Sequence, residues 1–161
     1  MNVVIDDTPG LNIEELRNKC AEYKSLYDDL SVIFVDYFQL MSSTGCFDSR
    51  KQELSDIISG LKGMARELDV PVVVISQLSR SVENREDHVP RLTDLKKINA
   101  SDKNIDVVMF LNRDDYYYTD TDKQGIAEII IAQNYGGTRG TCRLVFLPTI
   151  MRCENLPRDE K

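Results

Sequence analysis

The sequence predicts an α/β fold, and three observations carry that expectation. Apolar residues switch repeatedly between the helical and the strand period, the strand-like runs are short and continuous, and a glycine-rich turn joins the last two of them. Val3 to Ile5 is the first apolar run, closed by Asp6, Asp7 and the turn residues Thr8-Pro9-Gly10. Ile13, Leu16, Cys20, Tyr23, Tyr27 and Leu30 then recur at spacings of three and four, which makes one helix stripe. Asn12 with Glu15 fits a capping box at its start. Val32-Ile33-Phe34-Val35 reads as a strand buried on both faces and ends in Asp36.

The clearest helix follows, with Leu54, Ile57, Ile58, Leu61, Met64, Ala65 and Leu68 on one face and Ser49 with Gln52 placed to cap it. Val72 to Ile75 is the next strand, entered through Pro71. A basic, polar and weakly periodic segment runs from Arg80 to Ser101. Val107 to Leu111 is a further strand, and Asp114 to Gln124 an acidic loop containing tyrosines. Ala127–Ala132 and Cys142–Leu147 are two late strands, joined through Gly136, Gly137 and Gly140 as a hairpin. The expected division is one domain over residues 1–150 and a loose polar tail over 151–161.

Composition narrows the function. The chain has 161 residues, 42% of them apolar and 29% charged, with no apolar run long enough to span a membrane and no signal-peptide-like start. A cytoplasmic location is the resulting expectation. The four cysteines, Cys20, Cys46, Cys142 and Cys153, form no CxxC pair and are expected as reduced, mostly buried thiols rather than zinc ligands. His88 is the single histidine, a poor basis for a Ser-His-Asp or Cys-His mechanism. A net charge of −7 argues against a surface that coats nucleic acid everywhere, but leaves room for a local basic loop.

Two strand ends carry candidate chemistry. Asp36 closes Ile33-Phe34-Val35, the form of a Walker B element, whose carboxylate holds Mg²⁺ through its water shell. Gln77 lies just past Val72–Ile75, where a polar side chain senses a phosphate or caps the following turn. Each signal alone is weak, because strands often end in a polar residue. Their order is what discriminates. Asp6-Asp7-Thr8-Pro9-Gly10-Leu11 opens a helix. Val35-Asp36-Tyr37-Phe38-Gln39-Leu40-Met41, Val70-Pro71-Val72-Val73 leading to Ser76-Gln77-Leu78-Ser79-Arg80-Ser81, and Gly125-Ile126-Ala127-Glu128-Ile129-Ile130-Ile131 then succeed one another. The series resembles the C-terminal, RecA-like module of DnaB-family replicative helicases over about residues 2–150.

The resemblance implies a RecA-like P-loop NTPase core: a mostly parallel sheet with helices on both faces and a C-terminal β-hairpin, here N-terminally truncated. It implies a ring-shaped hexamer that uses ATP and Mg²⁺ to move 5′–3′ along single-stranded DNA and unwind duplex during replication. The implied partners are single-stranded DNA, bound weakly, and other helicase subunits in a homo- or hetero-oligomeric ring, with no membrane. Asp36 matches the family's Mg²⁺-binding aspartate and Gln77 the glutamine that couples nucleotide state to the DNA loops. Arg80 matches the arginine that closes the same motif. Thr93-Asp94-Leu95-Lys96-Lys97-Ile98-Asn99 matches a DNA-contacting loop, normally Asp-Leu-Arg-Glu-Ser-Gly. Lys96 stands where the family has arginine, Lys97 where it has glutamate and Asn99 where it has glycine. DNA contact is expected through Lys96 and Lys97, with Arg80, Arg85 and Arg91 assisting; a solvated lysine pair is the plainer alternative.

Two departures stand out. The sequence contains no G-x-x-x-x-G-K-S/T phosphate loop, so the ATP cradle and the catalytic glutamate downstream of it are missing. After Ile129-Ile130-Ile131-Ala132 the family has Lys-Gln-Arg, which supplies an arginine finger; Gln133, Asn134 and Tyr135 stand there instead, and Arg139 lies four residues beyond Tyr135. Such a finger is worth a factor of roughly 10³ to 10⁵ in rate. Three expectations compete: part of an ATP-driven helicase, a non-hydrolysing assembly or DNA-binding module, and a degenerate remnant. The run Asp114-Asp115-Tyr116-Tyr117-Tyr118 with Asp120 and Asp122 is expected as a solvated loop rather than a metal site or a base-stacking platform.

Overall fold

A computed structural model describes residues 3–27, 30–95, 98 and 103–157. The chain divides into two compact units. The first is Met1–Gln77 with Lys97–Asn104, and the second is Leu78–Lys96 with Ile105–Lys161.

In the first unit, α1 (Ile13–Leu26) starts on the predicted capping box. The Asn12 side chain accepts from the backbone of Glu14 and Glu15 at 3.0 and 2.9 Å, and Glu15 Oε2 accepts from the Asn12 N–H at 3.1 Å. The helix stops at Leu26, short of Leu30, which still packs against the core. The dominant element is α2 (Arg50–Leu68), N-capped by Ser49 and C-capped by Asp69 in the left-handed conformation, φ 49°. Its stripe of Leu54, Ile57, Leu61, Met64 and Leu68 is buried throughout, with Ile57 at 0% exposure.

That stripe joins Ile13 and Cys20 of α1 and Ile33 and Val35 of β1 (Ile33–Val35) in one apolar cluster. β1 pairs in parallel with β2 (Val72–Val74), Ile33 opposite Val72 and Val35 opposite Val74, so β1–α2–β2 is a βαβ unit. The expectation that both faces of β1 are buried fails. Ile33 and Val35 face the core, whereas Phe34 between them is 64% exposed. The strand's alternation gives it one helix-covered side only.

The second unit is a four-stranded antiparallel sheet in the order β3 (Val107–Asn112), β4 (Ile126–Asn134), β5 (Gly140–Leu147) and β6 (Arg152–Asn155). The hairpin is β4–β5, with Ile126 opposite Val145 and Ile131 opposite Gly140. The polar tail begins as a strand rather than a loose end, because β6 pairs with β5 from Leu147–Arg152 to Leu144–Asn155. β3 alternates strictly: Val108, Phe110 and Asn112 are buried, while Val107, Met109 and Leu111 are 42%, 54% and 64% exposed. The parallel pair and the antiparallel sheet are separate sheets, one in each unit.

The cysteine expectation also changes. Only Cys20 is buried; Cys46, Cys142 and Cys153 are exposed free thiols, the last two on a sheet with open faces. Among the described residues, no helix is long and apolar enough to cross a membrane.

Two glycines of α2 separate helix propensity from packing. A Cβ on Gly60 would lie 2.5 Å from Ile13 Cγ1, close to the buried root of that side chain, whereas a Cβ on Gly63 would meet nothing within 4 Å. Alanine gains up to about 1 kcal/mol over glycine inside a helix, and overpacking costs about 1–3 kcal/mol. Chemical denaturation should therefore show Gly63→Ala raising the unfolding midpoint and Gly60→Ala lowering it. The same sign for both would refute the close α1–α2 approach.

Candidate functional site

Parallel pairing puts the two predicted strand ends side by side. Val35 lies opposite Val74, so Asp36 and the stretch Ile75-Ser76-Gln77 leave the same C-terminal end of the β1–β2 pair. Open α/β sheets bind ligands at this end. The Ile75 N–H donates to Val35 O at 2.9 Å, and the Phe38 N–H returns to Ile75 O at 3.3 Å. Phe38, 1% exposed, anchors the turn beneath the surface, while Asp36 and Gln77 are exposed.

Side chains then lock the strand ends together. Gln39 Nε2 donates to Ser76 Oγ at 2.7 Å, next to Gln77. Arg50, in the first turn of α2, donates through Nη2 to Gln39 O at 2.7 Å and to Met41 O at 2.8 Å. Gln39, Ser76 and Arg50 thus shape the site without having been singled out from sequence. The signal for Gln39 was its position three residues after Asp36, on the turn that leaves β1 toward α2.

A lone exposed carboxylate suits Mg²⁺, which keeps most of its waters and takes one or two carboxylates together with substrate phosphates. No group of three or more His, Cys, Asp or Glu side chains suited to a metal occurs among the described residues. With no phosphate-loop sequence in the chain, the residues present do not by themselves make an ATP site.

The arginines of the basic segment, Arg80, Arg85 and Arg91, lie in the second unit. Arg80 begins a 3₁₀ turn, Arg80–Val82, and is exposed. Arg85 is turned inward: Nη1 and Nη2 meet the two carboxylate oxygens of Asp94 at 2.8 and 2.6 Å. Arg91 is more open, its side chain 56% exposed, and pairs with Asp87 at 2.5 Å. Lys96 and Lys97 lie outside the described residues. The tyrosine loop is less solvated than expected. The His88 ring stacks on Tyr117 at 4.1 Å, and the Tyr118 hydroxyl donates to Glu86 O, although Tyr116 is 73% exposed.

Of the residues at which the resemblance implies a lysine and an arginine, Gln133 is buried and donates to Ile105 O at 3.2 Å. Asn134 spans the hairpin turn, donating to Thr138 O at 3.2 Å and accepting from the Gly136 N–H at 3.1 Å. Tyr135 is 60% exposed. None of the three offers a cation.

Two buried carboxylates hold the second unit's polar interior. Across three strands Asn112 faces Glu128, which faces Arg143. Burial would raise the Glu128 carboxyl, but donors at Lys123 Nζ (3.2 Å), Arg143 Nε (3.1 Å) and Asn112 Nδ2 (3.4 Å) outweigh it and hold it below the usual range. The Arg85 guanidinium likewise holds Asp94 low, against burial and with help from the Arg91 N–H. Depressed carboxylates stabilise the fold above their unfolded pKa, and that contribution is lost as pH falls through the folded value. Thermal melts should therefore show Glu128→Gln less stable than wild type at neutral pH, with the gap closing at low pH. A gap independent of pH would contradict the charged ladder.

Residues 1–155 match the family described as DnaB-like helicase C terminal domain. The chain is 43% identical over 157 residues to the replicative DNA helicase DnaC of Bacillus subtilis (strain 168), and 42% identical over 157 residues to the replicative DNA helicase DnaB of Geobacillus stearothermophilus. Each alignment covers 97% of this chain and 34% of the relative, so the chain spans about a third of their length. Among solved structures, one described as an ATPase domain matches at 37% identity and TM-score 0.85, covering 92% of this chain and 52% of that one. A DnaB-like replicative helicase, solved in a study of its interactions with primase, matches at 37% identity and TM-score 0.88, over 95% of this chain and 37% of the other. With a family match over nearly its whole length and a RecA-like ATPase-domain fold, this chain belongs to the DnaB-like helicase C-terminal domain family.

Proposed function

We propose that the chain is part of the ATPase module of a replicative 5′–3′ DNA helicase, acting in a ring with other helicase subunits on single-stranded DNA. The observation that carries this reading is the parallel β1–β2 register, which brings Asp36 and Gln77 to one sheet end. In this reading Asp36 holds Mg²⁺ through water and Gln77 responds to the nucleotide's phosphate. Arg80 closes the motif that Gln77 opens and is proposed as a nucleotide-binding residue, and the phosphate cradle comes from residues outside this sequence. Lys96 and Lys97 contact the DNA backbone, with Arg91 and Arg80 assisting. The cytoplasm is the compartment that replication implies.

A second reading is a non-hydrolysing assembly or DNA-binding module. It is favoured by Gln133, Asn134 and Tyr135, uncharged residues engaged in the hairpin or exposed where the family places a lysine and an arginine finger. The two readings divide on whether a subunit carrying a phosphate loop restores hydrolysis.

A polypeptide of these 161 residues should show no saturable Mg²⁺-dependent ATP binding below about 100 μM, equivalent to about −5.5 kcal/mol, in a fluorescent-nucleotide titration. Saturation in that range would mean that the residues present cradle phosphate after all. Single-stranded DNA binding should be weak and salt-sensitive, with a log–log slope of about −0.7 per phosphate contact. Replacing Lys96 and Lys97 together with alanine should remove most of it. Unchanged binding by that variant would show that the DNA contacts lie elsewhere.

A further inference from the structure

The segment from Leu78 to Leu95 closes on itself. Leu78 and Leu95 form an antiparallel bridge at its neck, and the Ser79 N–H donates to Asp94 O at 2.8 Å. Asp94 is 2% exposed, the most buried charged side chain among the described residues, yet it lies in the basic segment of an acidic protein. Its carboxylate reaches three parts of the loop. Oδ1 accepts from Arg85 Nη1 at 2.8 Å and from the Ser81 hydroxyl at 3.4 Å, and Oδ2 accepts from Arg85 Nη2 at 2.6 Å and from the Arg91 N–H at 2.7 Å. Arg85 Nη2 goes on to Val89 O at 2.5 Å. One buried ion pair therefore ties the start, middle and end of the loop together.

The loop's far side is held separately. His88, in the left-handed region at φ 47°, stacks on Tyr117, and Tyr118 donates to Glu86 O. The outward cations of the loop are Arg80 and the half-exposed Arg91, the latter paired with Asp87, beside the exposed acids Glu83 and Glu86. A planar guanidinium gripped on both forks by a buried carboxylate is committed to geometry and has little left to offer a phosphate.

We propose that Asp94 and Arg85 are positioning residues for single-stranded nucleic acid, their buried pair holding the closed loop that presents Arg80 and Arg91. This rests on the nucleic-acid reading above. It assigns Arg85 a scaffolding role in place of the direct phosphate contact expected from sequence.

Simple electrostatics and positioning predict opposite signs for one variant. Asp94→Asn removes one of the loop's four negative charges, which should strengthen binding if charge alone matters. The brace predicts weaker binding. The test is anisotropy of a fluorescent thirty-nucleotide oligothymidylate with the full chain, together with hydrogen exchange at the Ser79 and Arg91 amides. Asp94→Asn is expected to weaken Kd by about tenfold, equal to about 1.4 kcal/mol, and to speed exchange at both amides. Arg85→Lys, which keeps the charge but loses the fork, should weaken binding in the same way and serves where Asp94→Asn fails to fold. Equal or tighter binding by Asp94→Asn, or wild-type binding by Arg85→Lys, would overturn the positioning role. No binding by the wild-type chain would instead overturn the nucleic-acid reading on which it rests.

Discussion

The first unit depends on one face of one helix. Leu54, Ile57, Leu61, Met64 and Leu68 turn inward together, and fully burying a side chain of this size contributes about 1.5–3 kcal/mol before entropy is counted. α1 packs on α2 where Gly60 leaves room for Ile13, and Ile33 and Val35 complete the cluster from the sheet side. With β1 fixed from beneath, its end is fixed too, and Asp36 leaves the sheet beside Ser76 and Gln77. The candidate nucleotide site is thus a consequence of where α2 is buried. Arg50 adds a direct tie, since it starts that helix and holds the turn after Asp36 by two carbonyls.

The second unit is organised differently. Its interior carries charge, and the charge is satisfied: Glu128 takes three donors and Asp94 four. Leaving a buried charge without its partner costs about 3–5 kcal/mol, so each of these carboxylates commits the groups around it. The commitment specifies geometry more than it adds net stability, because the same burial that strengthens each hydrogen bond also penalises the charge. That division suits the assignment. An apolar cluster supports the strand ends, and a polar brace shapes the loop.

Much of this was legible in the sequence, and the limits follow from which interactions are local. The α2 stripe, the Asn12–Glu15 box and the β4–β5 hairpin are written in spacings of two, three and four residues. β1 was legible as a strand, but a continuous run such as Val32-Ile33-Phe34-Val35 does not say whether one face or both are covered; only the tertiary structure exposes Phe34. β6 was missed because Arg152-Cys153-Glu154-Asn155 has no apolar period, and its order comes from pairing with β5. Arg85 and Arg91 look alike as letters. What separates them is Asp94, nine residues from Arg85, inside a loop whose closure no local pattern announces. Asp94 itself was visible as a lone acid beside Lys96 and Lys97, and the matching family motif contains it. Its burial was not visible.

One-sided burial has a consequence for the whole molecule. Phe34 and Ile75 in the first unit, and Val107, Met109 and Leu111 in the second, are apolar strand-region residues at 42–64% exposure. The runs Val72–Val74 and Val107–Asn112 carry no charge that would discourage pairing with another chain. Under the proposed ring reading, these apolar faces are covered by association, with copies of the chain or with other helicase subunits. Sedimentation velocity at tens of micromolar tests it directly. Concentration-dependent species larger than the 18.4 kDa monomer are expected. A stable monomer that unfolds cooperatively across that range would contradict it.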